Sequence, residues 1–363
     1  MARRLQSDKI LFVAVVALVL FGALMVFSAS AVMAAERYND GNYFLYRQLA
    51  WAAAGLLAVA ILMHTDYRRL ASPLVVFPAL ALEFILLVLV LFVHPTNHAH
   101  RWFHLGVASF QPSELAKIIL TVFLAYFLDQ RKGEVNDWKH TLAPITLIAG
   151  IMGVLVLKEP DLGTALALAM VVVAMLFCAG LNLRYFALAG LFALPVLYWE
   201  IFHSTYRLNR ILAFLNPYSD PLGKGFHIIQ SYIAVGTGGI TGLGLMEGKQ
   251  KLFFLPEPQT DFIFAVVGEE LGFIGAILLA AVFAVILLRG LRASAGCKDD
   301  FGRLLAIGLT VMIVGQALVN MSVVLGLLPT KGIPLPFVSY GGSSLLVNLV
   351  AVGILLNISQ QAS

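Results

Sequence analysis

Apolar and polar residues alternate in long blocks along the 363 residues of the chain. Ten apolar runs stand out, at 10–32, 46–64, 73–93, 113–128, 142–157, 164–181, 186–203, 262–288, 303–327 and 341–358. A helix crossing the hydrocarbon of a bilayer needs about 20 apolar residues. The pattern therefore predicts an all-α membrane protein with ten transmembrane helices. The fourth and fifth runs are short, and spans of that length draw on flanking polar residues or tilt. The first run starts after basic residues and ends in small ones, as a signal peptide does. It is too long for a signal core and nine more runs follow, so it reads as a retained helix.

One break between runs is not short. Residues 204–261, between the seventh and eighth runs, are rich in glycine and proline. Long segments of this kind are functional or disordered, and the apolar pieces "FHIIQSYIAV" and "KLFFL" argue for order. We expect a re-entrant or surface-lying helix near 226–236, followed by a glycine-rich turn. The segment is either an ordered cap or backbone lining a cavity, where irregular structure at membrane depth is tolerated. The whole chain, 1–363, reads as a single membrane domain.

Composition agrees: 60% of residues are hydrophobic and 12% charged, about half the charge of a soluble domain. The net charge is +4, but the basic residues are scattered between the apolar runs rather than clustered, which excludes a nucleic-acid-binding surface. Two cysteines, Cys178 in an apolar run and Cys297 in a polar loop, make neither a plausible disulfide nor a metal framework. With the N-terminus inside, thirteen Lys and Arg flank the spans on the inner side and five lie in the short outer loops. By the positive-inside rule both termini are then cytoplasmic, and 204–261 is a large outer loop between helices 7 and 8.

The unusual polar residues fall on that outer side. "PEPQTDFIFAVVGEELG" (256–272) enters the eighth run on Asp261 and carries Glu269 and Glu270 inside it. Carboxylates in hydrocarbon are expensive, hence rare and usually functional. "HRWFHLGVASFQPSELAK" brings Arg101, Trp102, Glu114 and Lys117 to the fourth run, with Ser113 as its expected N-cap. "KEPDLGT" (158–164) holds Glu159 and Asp161, and "LLPTKGIPLPFVSYGGSSL" (327–345) holds Lys331 and Ser343.

Each cluster also has a plain structural reading. Glu114 and Lys117 share a helix face and can form an ion pair. Asp261 can cap a helix, and Glu269 and Glu270 can join helices. Glu83, alone in the third run, reads as a buried, hydrogen-bonded acid. His94, His98, His100 and His104 lack metal-site spacing, so no metal ligands are assigned.

Taken together, "FQPSELAK", "KEPDLGT", "NPYSDPLGKGFHIIQS", "FLPEPQTDFIFAVVGEELG" and "PLPFVSYGGSS" resemble the SEDS family (shape, elongation, division and sporulation), which includes FtsW, RodA and SpoVE. The resemblance runs from "FSAS" in the first run to the last helix. It implies ten membrane helices, a large outer loop before the eighth, and polymerisation of peptidoglycan from lipid II. It also implies a class B penicillin-binding protein as crosslinking partner, with other divisome or elongasome membrane proteins nearby, in the cytoplasmic membrane of a bacterium. The family's essential aspartate falls on Asp261, although "PQTD" stands where a histidine commonly precedes the threonine. Its acid–base pair falls on Glu114 and Lys117, and its arginine–tryptophan pair on Arg101 and Trp102. "KLFFLPE" and "LLPTKGIPLPF" are closer to the division and sporulation branch than to the elongation branch.

For such a reaction Asp261 is the candidate general base, taking the proton of a sugar hydroxyl. Lys117, Glu114, Arg101, Trp102 and Lys331 are candidates for binding the substrate and its diphosphate. Glu269, Glu270, Asp161 and Ser343 are supporting residues. No cofactor is required, and a divalent cation such as Mg or Mn on the diphosphate would do similar work to the basic side chains. The stretch "GTGGITGLG" (236–244) is expected to move when substrate enters. The alternative is a lipid II flippase, which needs a polar path to both faces; the plain inner loops argue for the enzyme.

Overall fold

The computed structural model describes residues 7–93, 100–105, 108–203, 205–252 and 254–361. His94 and His98 lie outside this set. The helices are α1 (Lys9–Tyr38), α2 (Tyr43–Met63), α3 (Pro73–Val90), α4 (Pro112–Gln130), α5 (Ala143–Lys158), α6 (Leu162–Cys178), α7 (Leu183–Phe202), α8 (Thr205–Leu215), α9 (Phe226–Gly238), α10 (Ile263–Gly296), α11 (Asp300–Val324) and α12 (Gly342–Gln361). Every apolar run of the sequence carries a helix. The expected helix near 226–236 is α9, whereas the amphipathic α8 was not expected. A short antiparallel hairpin, β1 (Phe103–Leu105) and β2 (Ala108–Phe110), also goes beyond the sequence pattern.

Among the described residues seven helices have the length and hydropathy of a membrane span: α1, α2, α3, α5 with the π-helical turn before it, α10, α11 and α12. The shortfall elsewhere has a cause in the sequence. Helix α4 carries Glu114, Lys117 and Asp129 within 19 residues. Helix α6 has 17 residues, about 25 Å of rise against a hydrocarbon core of about 30 Å.

Helix ends gather into two groups. At one end Arg289 pairs with Asp8 (2.6 Å), Lys132 with Asp300 (2.9 Å), and the Tyr67 hydroxyl donates to Asp299 (2.7 Å). At the other end lie the starts of α4, α6, α10 and α12, where Gln111 donates to Asp161 (3.0 Å) and Tyr340 N–H to the Gln259 carbonyl (2.8 Å). Helices α11 and α12 are buried almost throughout, with α4, α6 and α10 packed on α11 and α2 on α12. The outer helices expose large apolar side chains such as Leu57, Leu74, Leu82 and Leu194. A soluble monomer rarely carries so continuous an apolar surface; hydrocarbon suits it.

Helix α10 is broken. Gly272 adopts φ +66°, ψ −163°, a conformation that side chains disfavour. In an unbroken helix Phe273 and Ile274 N–H would bond the carbonyls of Glu269 and Glu270. Here they bond Gly239 O (2.9 Å) and Ile240 O (3.2 Å), while Leu243 and Gly244 N–H take the Glu269 and Glu270 carbonyls (both 3.0 Å). The turn after α9 thus replaces the missing helix bonds, as backbone at membrane depth requires. A Cβ on Gly272 would meet Gly242 N at 2.3 Å, and one on Gly242 would meet Glu270 O at 2.1 Å. These glycines serve close approach. The stretch 236–244, expected to move when substrate enters, is fastened to α10 in this structure by these bonds.

Candidate functional site

The turn leading into α10 is braced from the segment before α12. Ser339 Oγ donates to Thr260 O, and Tyr340 N–H to Gln259 O. Asn320 in α11 donates to the carbonyls of both Asp261 (2.9 Å) and Ile333 (2.7 Å). Four residues earlier, on the same face of α11, Gln316 donates to Pro334 O (2.8 Å). The backbone around Asp261 is therefore held on two sides. Its carboxylate is not used up in the process: α10 begins after Phe262 without any side-chain cap. The capping reading of Asp261 does not hold.

Asp261 instead faces a cavity of about 430 Å³ between α8, α9 and the 330–332 segment. Three cations (Arg210, Lys224, Lys331) and three acids (Asp220, Glu257, Asp261) line it, with His227 from α9. Burial, aided by the charge of Glu257, pushes the Asp261 carboxyl up to about 7 against the opposing pull of Arg210 and Arg101. Burial and the neighbouring Arg210 bring the Lys331 ammonium down to about 8. Gly332 is the close neighbour of Asp261: a Cβ there would lie 2.7 Å from Asp261 Oδ2. The arrangement couples a carboxylate that can take a proton near neutrality with cations able to meet a phosphate-like anion.

Of the candidate binding residues, Lys331 lines the cavity with Asp261. Several others do not. Lys117 is 1% exposed and Glu114 3%. They pair with each other at 3.0 Å, and Lys117 also donates to Gln316 Oε1 at 2.6 Å. Neither lines the cavity; in this structure they form a buried ion pair. It still bears on the site, because Gln316 holds Pro334.

Arg101 spends its guanidinium on the carbonyls of Glu159 (2.9 Å) and Pro160; its field reaches Asp261, but its contacts are with the 158–161 loop. Trp102 is half-buried and outside the cavity lining. Asp161 caps α6 through Thr164 N–H (3.1 Å) and Thr164 Oγ1 (2.9 Å). Ser343 is buried in the first turn of α12 with its hydroxyl unpartnered among the described residues. The N-cap of α4 is Gln111, not Ser113. Glu83 is fully buried with neither carboxyl oxygen hydrogen-bonded among the described residues, against the expectation of a bonded acid.

Glu269 and Glu270 fasten a loop. Glu270 accepts from Lys251 Nζ (2.6 Å), Ser28 Oγ (2.7 Å) and Met246 N–H (3.0 Å), and Glu269 from Lys249 N–H (2.8 Å). The partner cation, Lys251, was not foreseen. Nor were Arg210, Lys224, His227 and Asn320. For Asn320 a signal was present: Gln316 and Asn320 are amides four apart in an apolar run, hence on one helix face. Lys224 and His227 stand in "LGKGFH", but nothing in their spacing aims them at Asp261.

A helical protein with lipid-facing flanks and a charged cavity at one end of its bundle is a polytopic membrane protein with a site at its surface. The chain belongs to the FtsW/RodA/SpoVE family of cell cycle proteins, whose model matches residues 8–363. It is 48% identical to "Probable peptidoglycan glycosyltransferase FtsW" of Trichlorobacter lovleyi over 98% of this chain and 94% of that one. To "Stage V sporulation protein E" of Bacillus subtilis it is 41% identical, over 99% and 98%. Among solved structures it resembles a chain described under "Structural coordination of polymerization and crosslinking by a peptidoglycan synthase complex", with TM-score 0.80, 34% identity and 98% of both chains covered. It also resembles the rod shape determining protein RodA of Thermus thermophilus, with TM-score 0.72, 30% identity, and 98% and 97% covered.

Proposed function

We propose that this chain is an inverting peptidoglycan glycosyltransferase that polymerises lipid II at the outer face of the bacterial cytoplasmic membrane, with Asp261 as general base. In this reading ten helices cross the membrane, both termini are cytoplasmic, and the cavity end faces outward. The observation that carries the proposal is the Asp261 carboxyl itself. It is uncapped, opens on the charged cavity, and is held near neutral pKa beside Arg210 and Lys331.

The reaction joins a GlcNAc 4-hydroxyl to the anomeric carbon of a MurNAc carried on a polyprenyl diphosphate. Asp261 takes the hydroxyl proton as the new bond forms. Arg210, Lys224 and Lys331 stabilise charge growing on the leaving diphosphate. Direct displacement turns the α-linked donor into a β-linked glycan. Among the described residues no three acids, histidines or cysteines are grouped to hold a metal. A divalent ion in the site would arrive on the diphosphate.

Identity of 48% with an FtsW-named protein against 30% with RodA supports a role in division. A class B penicillin-binding protein is the partner we propose, supported by likeness to a chain from a synthase complex. The test is polymerisation of purified lipid II by the purified protein, alone and with that partner. Wild type should make glycan strands and Asp261→Asn none. An Asp261→Asn protein that polymerises at the wild-type rate would remove Asp261 from the chemistry. Transbilayer movement of lipid II without polymer would favour the flippase.

A further inference from the structure

Two apolar clefts border the charged cavity, and the transferase chemistry leaves them without a task. The first, about 280 Å³, lies between α9, α10 and α11, where Val235, Phe264, Gly268, Ala276, Met321 and Leu325 face one another. The second, about 230 Å³, lies between α6, α11 and the 328–333 segment, lined by Leu166, Met170, Val319, Val323, Pro329 and Lys331. Helix α11 divides them. At 100° per residue, Met321 and Leu325 lie about 160° around the helix from Val319 and Val323.

Both clefts open on the flank of the bundle. Phe273 (62% exposed) and Ile277 (50%) edge the first, and Leu166 (38%) and Leu328 (40%) the second. The second shares a lining residue with the cavity, and the first is reached from it along α9. Helix α9 carries His227 in the cavity and Val235 in the first cleft, about 12 Å further along its axis. Lys331 lines the cavity and the second cleft at once. An amphiphile with an anionic head in the cavity would find an apolar exit on either side. Small residues of α10 on both sides of its break, Gly268 and Gly272 before and at it and Ala276 and Ala280 after it, line the first cleft and leave it room.

We propose that each cleft seats the first isoprene units of one polyprenyl-diphosphate substrate, the donor's in the cleft bordered by Lys331 and the acceptor's in the cleft beside α9 and α10. The inference rests on the transferase reading, because joining two lipid-linked saccharides brings two tails to one site. Volumes under 300 Å³ are at the low end for organic ligands, so only the start of each tail is held and the remainder stays in the bilayer. The assignment of donor and acceptor follows from charge. The donor's diphosphate is the leaving group, and Lys331 stands where the second cleft meets the cavity.

The test uses the full chain in lipid nanodiscs and lipid II bearing a diazirine on its first isoprene units. After irradiation, adducts should map to residues 273–280, Met321 and Leu325 for the first cleft and to residues 166–170, Val319 and Val323 for the second. A lipid II analogue lacking the GlcNAc 4-hydroxyl can act only as donor, and it should label the second set in preference. Ala280→Leu and Leu166→Trp, each narrowing one cleft, should raise KM for full-length lipid II about tenfold, the effect of about two buried CH2 groups, and leave KM for a short-tailed analogue unchanged. Adducts confined to other helices, or equal labelling of both clefts by the donor-only analogue, overturn the proposal. Labelling needs no turnover, so the two readings fail separately. A protein that labels as stated but makes no polymer counts against the transferase and for the clefts, whereas one that polymerises while labelling elsewhere counts only against the clefts.

Discussion

The side-chain amide of Asn320 donates to the backbone carbonyl of Asp261 at 2.9 Å and to that of Ile333 at 2.7 Å. One buried residue of α11 therefore sets the separation between the proposed base and the segment that carries Lys331. Asn320→Leu leaves two carbonyls without their donor, each bond worth about 0.5–1.5 kcal/mol, and lets the turn shift. Because ångström-scale misplacement can lower turnover about a hundredfold, kcat should fall by about 10–100-fold with KM little changed. Steady-state polymerisation measures this. Wild-type kcat in Asn320→Leu would show that the turn holds itself.

The pH profile follows from the two shifted groups. A general base must be ionised, so kcat/KM should rise through about pH 7 as Asp261 loses its proton. It should fall above about pH 8 as Lys331 loses its charge. Lys331→Arg, which stays charged, should remove the alkaline limb and keep the acid one. Polymerisation between pH 5.5 and 9.5 tests both limbs, and an unchanged alkaline limb in Lys331→Arg assigns it to another group.

The same carboxyl has a signature in stability. Its folded-state pKa, about 7, is above the ordinary carboxylate value, so between about pH 4 and 7 the folded state binds more protons than the unfolded. The contribution of Asp261 to stability is then present below that window and lost as pH rises through it. Asp261→Asn should therefore abolish activity while raising the melting temperature in detergent at pH 8 and leaving it nearly unchanged at pH 4. A melting temperature that falls at pH 8 would make Asp261 a structural acid.

Glu114 and Lys117 make a contrasting case. Breaking a buried pair leaves one charge uncompensated, at about 3–5 kcal/mol, whereas removing both charges is far milder. Glu114→Gln and Lys117→Met should each destabilise strongly, and the double variant should recover much of the loss in stability and activity. A double variant that is stable yet inactive would return Lys117 to the chemistry.

At the break in α10, Gly272→Ala and Gly242→Ala each force a Cβ onto backbone, at 2.3 and 2.1 Å. Each should lower the melting temperature, and the pair should be markedly non-additive because both changes strain one crossing. Additive effects would mean that the two glycines act independently.

Helix positions were legible in the apolar runs because hydrocarbon demands long, self-satisfied apolar helices whatever they pack against. Asp261 was legible too, since a carboxylate beside such a run is costly and so conspicuous. The sequence did not distinguish the duties of the remaining polar residues. Glu114, Lys117, Glu269 and Glu270 look as functional as Asp261 along the chain, yet each finds a partner in the fold: Gln316 from α11 beside the Glu114–Lys117 pair, and Lys251 with Ser28 for Glu270. Arg210 and Lys224 look like ordinary loop cations and come to line the cavity with Asp261. The glycines of 236–244 suggest freedom and instead complete a broken helix. Composition and periodicity are local, and determine which segments enter the bilayer. Whether a buried charge is satisfied or left free to act depends on what lies opposite it, and here, beyond the Glu114–Lys117 pair itself, those partners are 19 to 242 residues away in sequence. Only tertiary packing decides that.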